Sequence, residues 1–345
     1  MEMKTLKLVL VGFGNVGQGF VRLLLSKKTE LADVYKTNVL ITGIATAKKG
    51  SLVDNEGIDL QKALDDVATK GRFEHALKLN TFEVIGKSEA DAVIELSPLC
   101  IVDGQPAIDH IVYAMNKGRH VITGNKGPVA WAFHQLAALA DEKKLLFLYE
   151  TTIMDGTPIF NMVKHTLPGC KVLSFEGILN TTTNFILDEL EKGTSFDSAV
   201  REAQRRGFAD ADPYMDIKGM DAAAKTCALV NVLMGADLTP PEVSMKGIEN
   251  ITADDLTSAR RNGKTIKLLC RGYIDASKAR GVVRPEHVPL DHIFSKVSGT
   301  SSVLSITTDL MGKITIFEHD PEIEQTSYGI YSDMLTLMAA ERHCS

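Results

Sequence analysis

Residues 6–17 read LKLVLVGFGNVG, an apolar run that leads directly into three spaced glycines. The run predicts a buried strand, and the glycines predict a tight turn that opens a helix. Gly12 permits the turn, Gly14 lets the backbone approach a pyrophosphate, and Gly17 lets the helix pack against the strand. Free N–H groups at the helix N-terminus would then face the phosphates. The stretch therefore predicts a dinucleotide site formed by Gly12, Phe13, Gly14, Asn15, Val16 and Gly17.

Strands and helices alternate outward from this turn. The pattern predicts further strands at residues 39–45, 92–96, 120–123 and 145–149, and helices at 16–26 and 105–116. This alternation is typical of an α/β fold with a Rossmann-type, doubly wound parallel sheet. From about residue 156 the helical stretches become longer, and strands return near 265–273 and 313–317. We expect a nucleotide-binding domain at residues 1–135 and about 318–345, with an α+β dimerisation and substrate domain at 136–317.

Composition excludes several classes of protein. The chain has 345 residues, with 38 lysines and arginines against 44 aspartates and glutamates, so no basic face for nucleic acid is expected. No uncharged apolar run approaches the roughly 20 residues of a membrane-spanning helix, and no signal segment opens the chain. The five cysteines are far apart, which argues against a disulfide framework or a zinc ribbon. We therefore expect a cytoplasmic protein that does not bind membranes.

The end of the second strand bears on the choice of cofactor. NAD-preferring enzymes usually carry an acidic residue there that binds the ribose 2′-hydroxyl, but residues 43–49 read GIATAKK. Lys48 and Lys49, close to Thr46, could pair with a 2′-phosphate, although they could equally be ordinary solvated charges. The missing acid favours NADP, with NAD as the alternative.

The most informative stretch lies at residues 206–225, RGFADADPYMDIKGMDAAAK. Asp221 and Lys225 are four residues apart at the start of an alanine-rich helix, so they share a face. The loop lacks the pattern of a calcium site. It is either a solvated, capped helix start or a cluster that grips a substrate ammonium group. Lys126 follows the strand at 120–123, at the edge where open α/β sheets place ligands, although a surface lysine is the simpler reading.

Taken together, these motifs resemble homoserine dehydrogenase. The resemblance rests on their order and spacing: residues 12–17, 95–98 (ELSP), 123–126 (TGNK), 177–184 (GILNTTTN) and the 207–225 loop, which is the most specific element. It covers residues 5–260 and returns weakly at 283–286. The chain ends too soon for the regulatory C-terminal domain of longer members, so we expect none.

The resemblance implies an NAD(P)-dependent homodimer that interconverts L-homoserine and L-aspartate 4-semialdehyde in threonine and methionine biosynthesis. It implies that Lys126 and Lys225 flank the reacting carbon, with Lys126 also beside the cofactor. It further implies a nicotinamide contact at Ser97 and Pro98, and a sodium site of backbone oxygens at Glu150, Ile153, Asp155 and Thr157. The substrate residues would be Asp210, Asp216, Asp221, Asn180 and Thr182, the aspartates holding the amino acid or orienting Lys225.

Several positions depart from the family pattern. Asp210 stands where glutamate is usual, Thr181 replaces a glycine, and Asp155 adds a carboxylate. The glycine-rich loop near the C-terminus is replaced by residues 318–322, EHDPE. Two alternatives therefore remain open. The first is a paralogous dehydrogenase for another small hydroxy or amino acid, and the second is a non-catalytic NAD(P)-binding sensor. The intact lysines and aspartates argue against the second.

Overall fold

The computed structural model describes residues 3–209 and 212–343. The chain divides into two compact units, Met1–Pro158 with Glu322–Ser345, and Ile159–Pro321. The first boundary differs from the residue 135 expected from the sequence. It lies further along because the strand Phe147–Leu148 pairs with the sheet of the first unit.

The strands of the first unit form a largely parallel sheet. They are β1 (Lys4–Val11), β2 (Thr37–Ala45), β3 (Leu52–Val53), β4 (Ala92–Glu95), β5 (His120–Thr123) and β6 (Phe147–Leu148). Their order is β3-β2-β1-β4-β5-β6, and only the pairing of β2 with the short β3 is antiparallel among those described. The strand order reverses between β1 and β4, and open α/β sheets bind ligands at such a switch point. The predicted Rossmann-type sheet is confirmed.

Helices cover both faces of this sheet. They are α1 (Asn15–Asp33), α2 (Leu60–Lys70), α3 (Thr81–Lys87), α4 (Ala107–Asn116) and α5 (Lys126–Glu142). Successive side chains of β1 point to opposite faces. Leu8 and Leu10 enter a buried cluster with Phe20 of α1, whereas Val9 enters a second cluster with Ile111 of α4. The near-continuous apolar run of β1 therefore reflects a strand that is buried on both sides.

The second unit is a mixed sheet with helices. Its helices are α6 (Phe160–Thr166), α7 (Thr181–Glu191), α8 (Phe196–Arg205), α9 (Tyr214–Ile217), α10 (Met220–Met234) and α11 (Ala253–Arg261). Its strands are β7 (Val172–Ile178), β8 (Ser244–Met245), β9 (Lys264–Asp275), β10 (Lys278–Pro289), β11 (Ser302–Thr308) and β12 (Gly312–Glu318). The order is β12-β11-β7-β9-β10-β8. α10 packs on β9 and β10, and α7 packs on β9.

The chain returns to the first unit with α12 (Ile323–His343). This helix packs along α1, where the Ser327 hydroxyl donates to the carbonyl oxygen of Val16 at 3.3 Å. Ile330 and Met334 are fully buried in the same cluster as Phe20. Across the described residues, no helix combines the length and the apolar character that crossing a membrane requires.

Candidate active site

The glycine turn after β1 is tight on one side and open on the other. Gly12 has a φ of +107°, and a Cβ there would lie 2.3 Å from the carbonyl oxygen of Leu96. A Cβ at Gly17 would lie 2.7 Å from the carbonyl oxygen of Gly12, whereas a Cβ at Gly14 would meet no atom within 4 Å. The open space at Gly14, at the start of α1, is what close approach of a pyrophosphate requires.

Phe13 contributes to the core rather than to the open side of the turn. Its side chain is 1% exposed and packs edge-on against Phe73, with ring centroids 5.4 Å apart. Its carbonyl oxygen accepts a hydrogen bond from Gln18 Nε2 at 3.2 Å. Phe13 can therefore contact a dinucleotide only through its main chain, while the exposed Asn15 presents its side chain.

A cleft of about 190 Å³ lies beside the turn, within the first unit. It is lined by Val16, Leu96, Ser97, Leu99, Gly124, Asn125, Lys126, Thr151 and Thr326. Ser97 Oγ is buried and has no hydrogen-bond partner among the described residues. Because buried hydroxyls normally have a hydrogen-bond partner, this one is available to a polar ligand group. The predicted residues Val16, Ser97 and Lys126 thus line one cleft, with Pro98 exposed next to them.

The Ser97 backbone is held by two residues that the sequence did not single out for this role. Its N–H donates to Glu95 Oε1 at 3.2 Å, and its carbonyl oxygen accepts from Asn125 Nδ2 at 3.1 Å. Glu95 is completely buried, and its Oε1 lies 3.4 Å from Nδ1 of the buried His110. No sequence pattern joins Glu95 to a histidine on α4, so this pair becomes visible only in the structure.

Lys126 is the first residue of α5 and not part of an extended loop. The side chain of Asn125 caps this helix by accepting the N–H of Gly127 at 3.0 Å. Lys126 is half-buried at the end of β5, the edge of the sheet expected from the sequence. The cap fixes the start of α5 at Lys126, close to the end of β5.

The region after β2 forms a closed turn. Thr46 Oγ1 donates to the carbonyl oxygen of Gly50 at 2.7 Å and accepts the N–H of Lys49 at 2.9 Å. Thr46 therefore uses its hydroxyl to shape the turn. Lys48 is exposed and Lys49 is half-buried, so both lysines offer positive charge at this end of β2.

In the second unit, Asn180 brings two predicted aspartates together. Its Nδ2 donates to Asp216 Oδ1 at 2.7 Å and to Asp221 Oδ2 at 3.0 Å. Lys225 Nζ donates to the carbonyl oxygen of Leu179 at 2.7 Å and lies 3.9 Å from Asp221 Oδ2. The predicted shared face of Asp221 and Lys225 is confirmed. Two carboxylates thus accept hydrogen bonds from one amide at the start of α7, and a lysine lies beside one of these carboxylates.

Thr182 anchors the loop that carries the acidic motif. Its hydroxyl donates to the carbonyl oxygen of Phe208 at 2.7 Å, and the Phe208 ring packs edge-on against Phe185 of α7. This contact supports the loop and leaves no indication that the hydroxyl faces a substrate. Asp210, the predicted substrate residue of this loop, lies outside the described residues.

The predicted sodium segment is a buried turn. Glu150 and Ile153 are 3% and 2% exposed, and the N–H of Thr157 donates to the carbonyl oxygen of Met154 at 2.8 Å. The carbonyl oxygen of Asp155 accepts the Thr151 hydroxyl at 2.7 Å, and its carboxylate accepts the Thr326 hydroxyl at 2.5 Å. The carbonyl oxygens of Met154 and Asp155 thus accept hydrogen bonds within the turn, and the extra carboxylate of Asp155 is engaged with Thr326 of α12.

Comparison with known proteins identifies the family. The family model for homoserine dehydrogenase matches residues 158–335. The homoserine dehydrogenase of Methanocaldococcus jannaschii is 35% identical over 336 residues, which cover 95% of this chain and 97% of that protein. This chain belongs to the homoserine dehydrogenase family. It is therefore an NAD(P)-dependent oxidoreductase, as the resemblance implied.

Other homoserine dehydrogenases are similar over most of their length. The NAD(+)-dependent homoserine dehydrogenase of Pseudomonas canavaninivorans is 34% identical to this chain. The alignment covers 96% of this chain and 96% of that protein. A crystal structure of a homoserine dehydrogenase from Thiobacillus denitrificans is 27% identical with a TM-score of 0.85, covering 99% of this chain and 75% of that one. The homoserine dehydrogenase fold thus accounts for both units.

Proposed function

We propose that this chain interconverts L-homoserine and L-aspartate 4-semialdehyde by hydride transfer, preferring NADP. The observation that carries the substrate assignment is the cluster of Asn180, Asp216, Asp221 and Lys225 in the second unit. Two carboxylates held by one amide match the ammonium group of an amino acid, because charge-assisted hydrogen bonds favour that pairing. The first unit would hold the dinucleotide through the glycine turn, the Ser97 cleft and Pro98.

Lys126 and Lys225 are the residues that we assign to proton movement. Removal of hydride from the hydroxyl carbon requires loss of the hydroxyl proton, and aldehyde reduction requires its return. A lysine at that oxygen can carry the proton and can also stabilise the developing negative charge. The bound nicotinamide would supply only the hydride-accepting carbon. Lys225 is held in direction by Leu179 and Asp221, which suits it to a fixed position.

The sequence of the turn after β2 supports the proposed preference for NADP. No carboxylate occurs in residues 43–49, and Lys48 and Lys49 offer positive charge for a 2′-phosphate. The relative from Pseudomonas canavaninivorans is named NAD(+)-dependent, so the ratio of kcat/KM for the two cofactors decides the matter. Lys48→Ala with Lys49→Ala should lower that ratio, and an NAD preference that these changes leave unaltered would contradict the proposal.

We also propose a sodium ion at the turn of Glu150, Ile153, Asp155 and Thr157, because its donors are all oxygen atoms, as hard cations prefer. Activity should then depend on sodium chloride when potassium chloride serves as the matched control.

We further propose a cytoplasmic homodimer. No disulfide joins the described cysteines Cys100, Cys170, Cys227 and Cys270, as expected in a reducing compartment.

The test of the main proposal is an NADP(H)-linked assay with L-homoserine and a panel of short hydroxy acids and amino acids. Turnover of homoserine above the panel is expected. Turnover of another member instead would favour the paralogous dehydrogenase. Tight cofactor binding with no turnover of any member would favour the sensor.

A further inference from the structure

The second unit buries a lysine that the proposed reaction does not use. Lys267 of β9 is 2% exposed, although lysines are rarely buried this completely. Its Nζ donates to Asp188 Oδ1 at 2.6 Å, to Asn184 Oδ1 at 2.9 Å and to the carbonyl oxygen of Val297 at 2.7 Å. The ammonium group thus uses three donors on three acceptors, which compensates for its burial.

The acceptors Asn184 and Asp188 belong to a polar stripe along α7. Asn180, Asn184 and Asp188 are spaced by four residues and therefore lie on one face of the helix. Asn180 and Asn184 are 5% and 1% exposed, and the side chain of Asp188 is 15% exposed, so most of the stripe is buried. One end of the stripe holds Asp216 and Asp221 through Asn180, and the other end is held by Lys267.

The same stripe binds the backbone of a loop. The N–H of Gly299 donates to Asp188 Oδ2 at 3.0 Å, and its carbonyl oxygen accepts Asn184 Nδ2 at 3.2 Å. Lys267 also donates to the carbonyl oxygen of Val297, two residues earlier in the loop. The loop therefore contacts Lys267 directly and the acceptors of Lys267 at Gly299. One residue further on, Thr181 Oγ1 approaches the carbonyl oxygen of Thr300 at 3.5 Å, at the first turn of α7.

We propose that Lys267 is a positioning residue for the amino-acid substrate. It fixes the rotation of α7, and hence the direction of Asn180, and it holds the loop at residues 297–300 against the first turn of that helix. The inference rests on the proposed function, because it assigns substrate binding to the Asn180 cluster. Its effect should appear in KM for the amino acid, since small displacements of binding groups weaken productive binding strongly.

The experiment compares Lys267→Met with the double variant Lys267→Met/Asp188→Asn. The single variant leaves the Asp188 charge uncompensated, whereas the double variant is neutral and retains an acceptor for the Gly299 N–H. We expect KM for L-homoserine to rise at least about tenfold in both, with the dissociation constant for the cofactor unchanged. Lys313→Met is the matched control, because Lys313 is a half-exposed lysine of β12 that pairs with Glu176 in the same sheet.

A purely structural lysine gives a different result. It would lower the melting temperature and the active fraction, and hence kcat, without changing KM. Recovery of the wild-type KM in the double variant would mean that only charge balance matters, and this would overturn the proposal. Hydrogen exchange at residues 298–301, which requires no substrate, should increase in the double variant. If the wild-type protein does not turn over homoserine, the proposed function is wrong. If hydrogen exchange at residues 298–301 is unchanged in the double variant, the positioning role of Lys267 is wrong.

Discussion

Different contacts position Lys126 and Lys225. Replacing each lysine separately tests whether it acts in proton movement or instead holds phosphate or structure. Lys126 begins a capped helix beside the Ser97 cleft, whereas Lys225 is held by Leu179 and Asp221. We expect Lys126→Ala and Lys225→Ala each to lower kcat by a factor on the order of 100 or more while the cofactor still binds. Lys246→Ala, at an exposed lysine, is the control. Loss of cofactor affinity in step with kcat would show that the lysines hold phosphate or structure instead.

Asn180 performs two tasks that one substitution can separate. Its Oδ1 caps α7 by accepting the N–H of Thr183 at 2.8 Å, while its Nδ2 binds Asp216 and Asp221. Serine is a good N-cap but cannot reach both carboxylates. Asn180→Ser should therefore keep the melting temperature and raise KM for the substrate, whereas Asn180→Ala should also lose about 1 kcal/mol of stability. An unchanged KM for Asn180→Ser, measured with the cofactor saturating, would remove Asn180 from the site.

At the residue scale, the sequence predicts those contacts whose partners are close in the chain. Asp221 and Lys225 are one helical turn apart, so their contact follows from the helix period alone. The bonds from Asn180 cross 36 and 41 residues, and the contact of Ser97 with Asn125 crosses 28. Those pairings depend on how α9, α10 and the strand ends pack, which no local pattern encodes.

At the scale of elements, replacing Gly12 or Gly14 of the glycine turn with alanine should have opposite effects on stability and on cofactor binding. Ala at position 12 would clash with the Leu96 carbonyl group and requires an unfavourable φ, so Gly12→Ala should unfold the first unit or lower its melting temperature strongly. Gly14→Ala meets no protein atom and should leave the melting temperature unchanged. It should nevertheless weaken cofactor binding, because the added methyl group occupies the space left for the pyrophosphate. Calorimetry of both variants checks this, and undiminished binding by Gly14→Ala would place the phosphates elsewhere.

The link between β5 and β6 should make stability depend on pH. Burial lowers the pKa of His120, despite an opposing contribution from Asp91, and its Nδ1 accepts the N–H of Leu146 at 2.9 Å. As the pH falls below the unfolded-state pKa of about 6.5, the unfolded chain takes up the proton first, and the free energy of unfolding decreases. Above that pH, His120 is neutral in both states and no longer lowers the free energy of unfolding. His120→Gln should show a smaller loss of melting temperature on acidification than wild type, whereas His75→Gln, at an exposed ring, should show the same loss.

Strands that are buried on both faces, such as β1, can be predicted from the sequence, whereas a partly exposed strand such as β10 cannot. β1, with both faces covered, is a near-continuous apolar run next to a glycine turn, and the sequence predicts six of its eight residues. β10 alternates charged and apolar residues, contains Pro285 and carries Arg284 and Glu286 in ion pairs with each other, so it has the composition of a loop. Its pairing with β9 over twelve residues stabilises it as a strand.

At the scale of the whole molecule, the second unit offers a candidate surface for the proposed homodimer. The sheet-end patch consists of Leu173, Tyr273, Ile274, Leu310 and Met311, each more than a third exposed. The pairing of Ser174 with Tyr273 and of Thr308 with Val172 places them at one end of the sheet. Exposed apolar groups gathered in this way are typical of interaction surfaces.

Leu310→Glu should therefore shift the protein from dimer to monomer in sedimentation experiments, because a buried unpaired charge opposes association. Ile293→Glu is the control, since Ile293 is also an exposed apolar residue, at 46%, but belongs to the segment after β10. A variant that remains dimeric would place the interface on another surface, and a monomeric wild type would exclude the homodimer.

The return of the chain to the first unit affects the order in which the protein can fold during its synthesis. The ribosome completes α12 only after all of residues 159–321, yet Ile330, Met334 and Leu337 of this helix belong to the same buried cluster as Phe20. The second unit is continuous in sequence and can close its core as soon as it emerges. The part of the chain that is made first is therefore completed last, and its apolar face along α1 stays uncovered throughout translation.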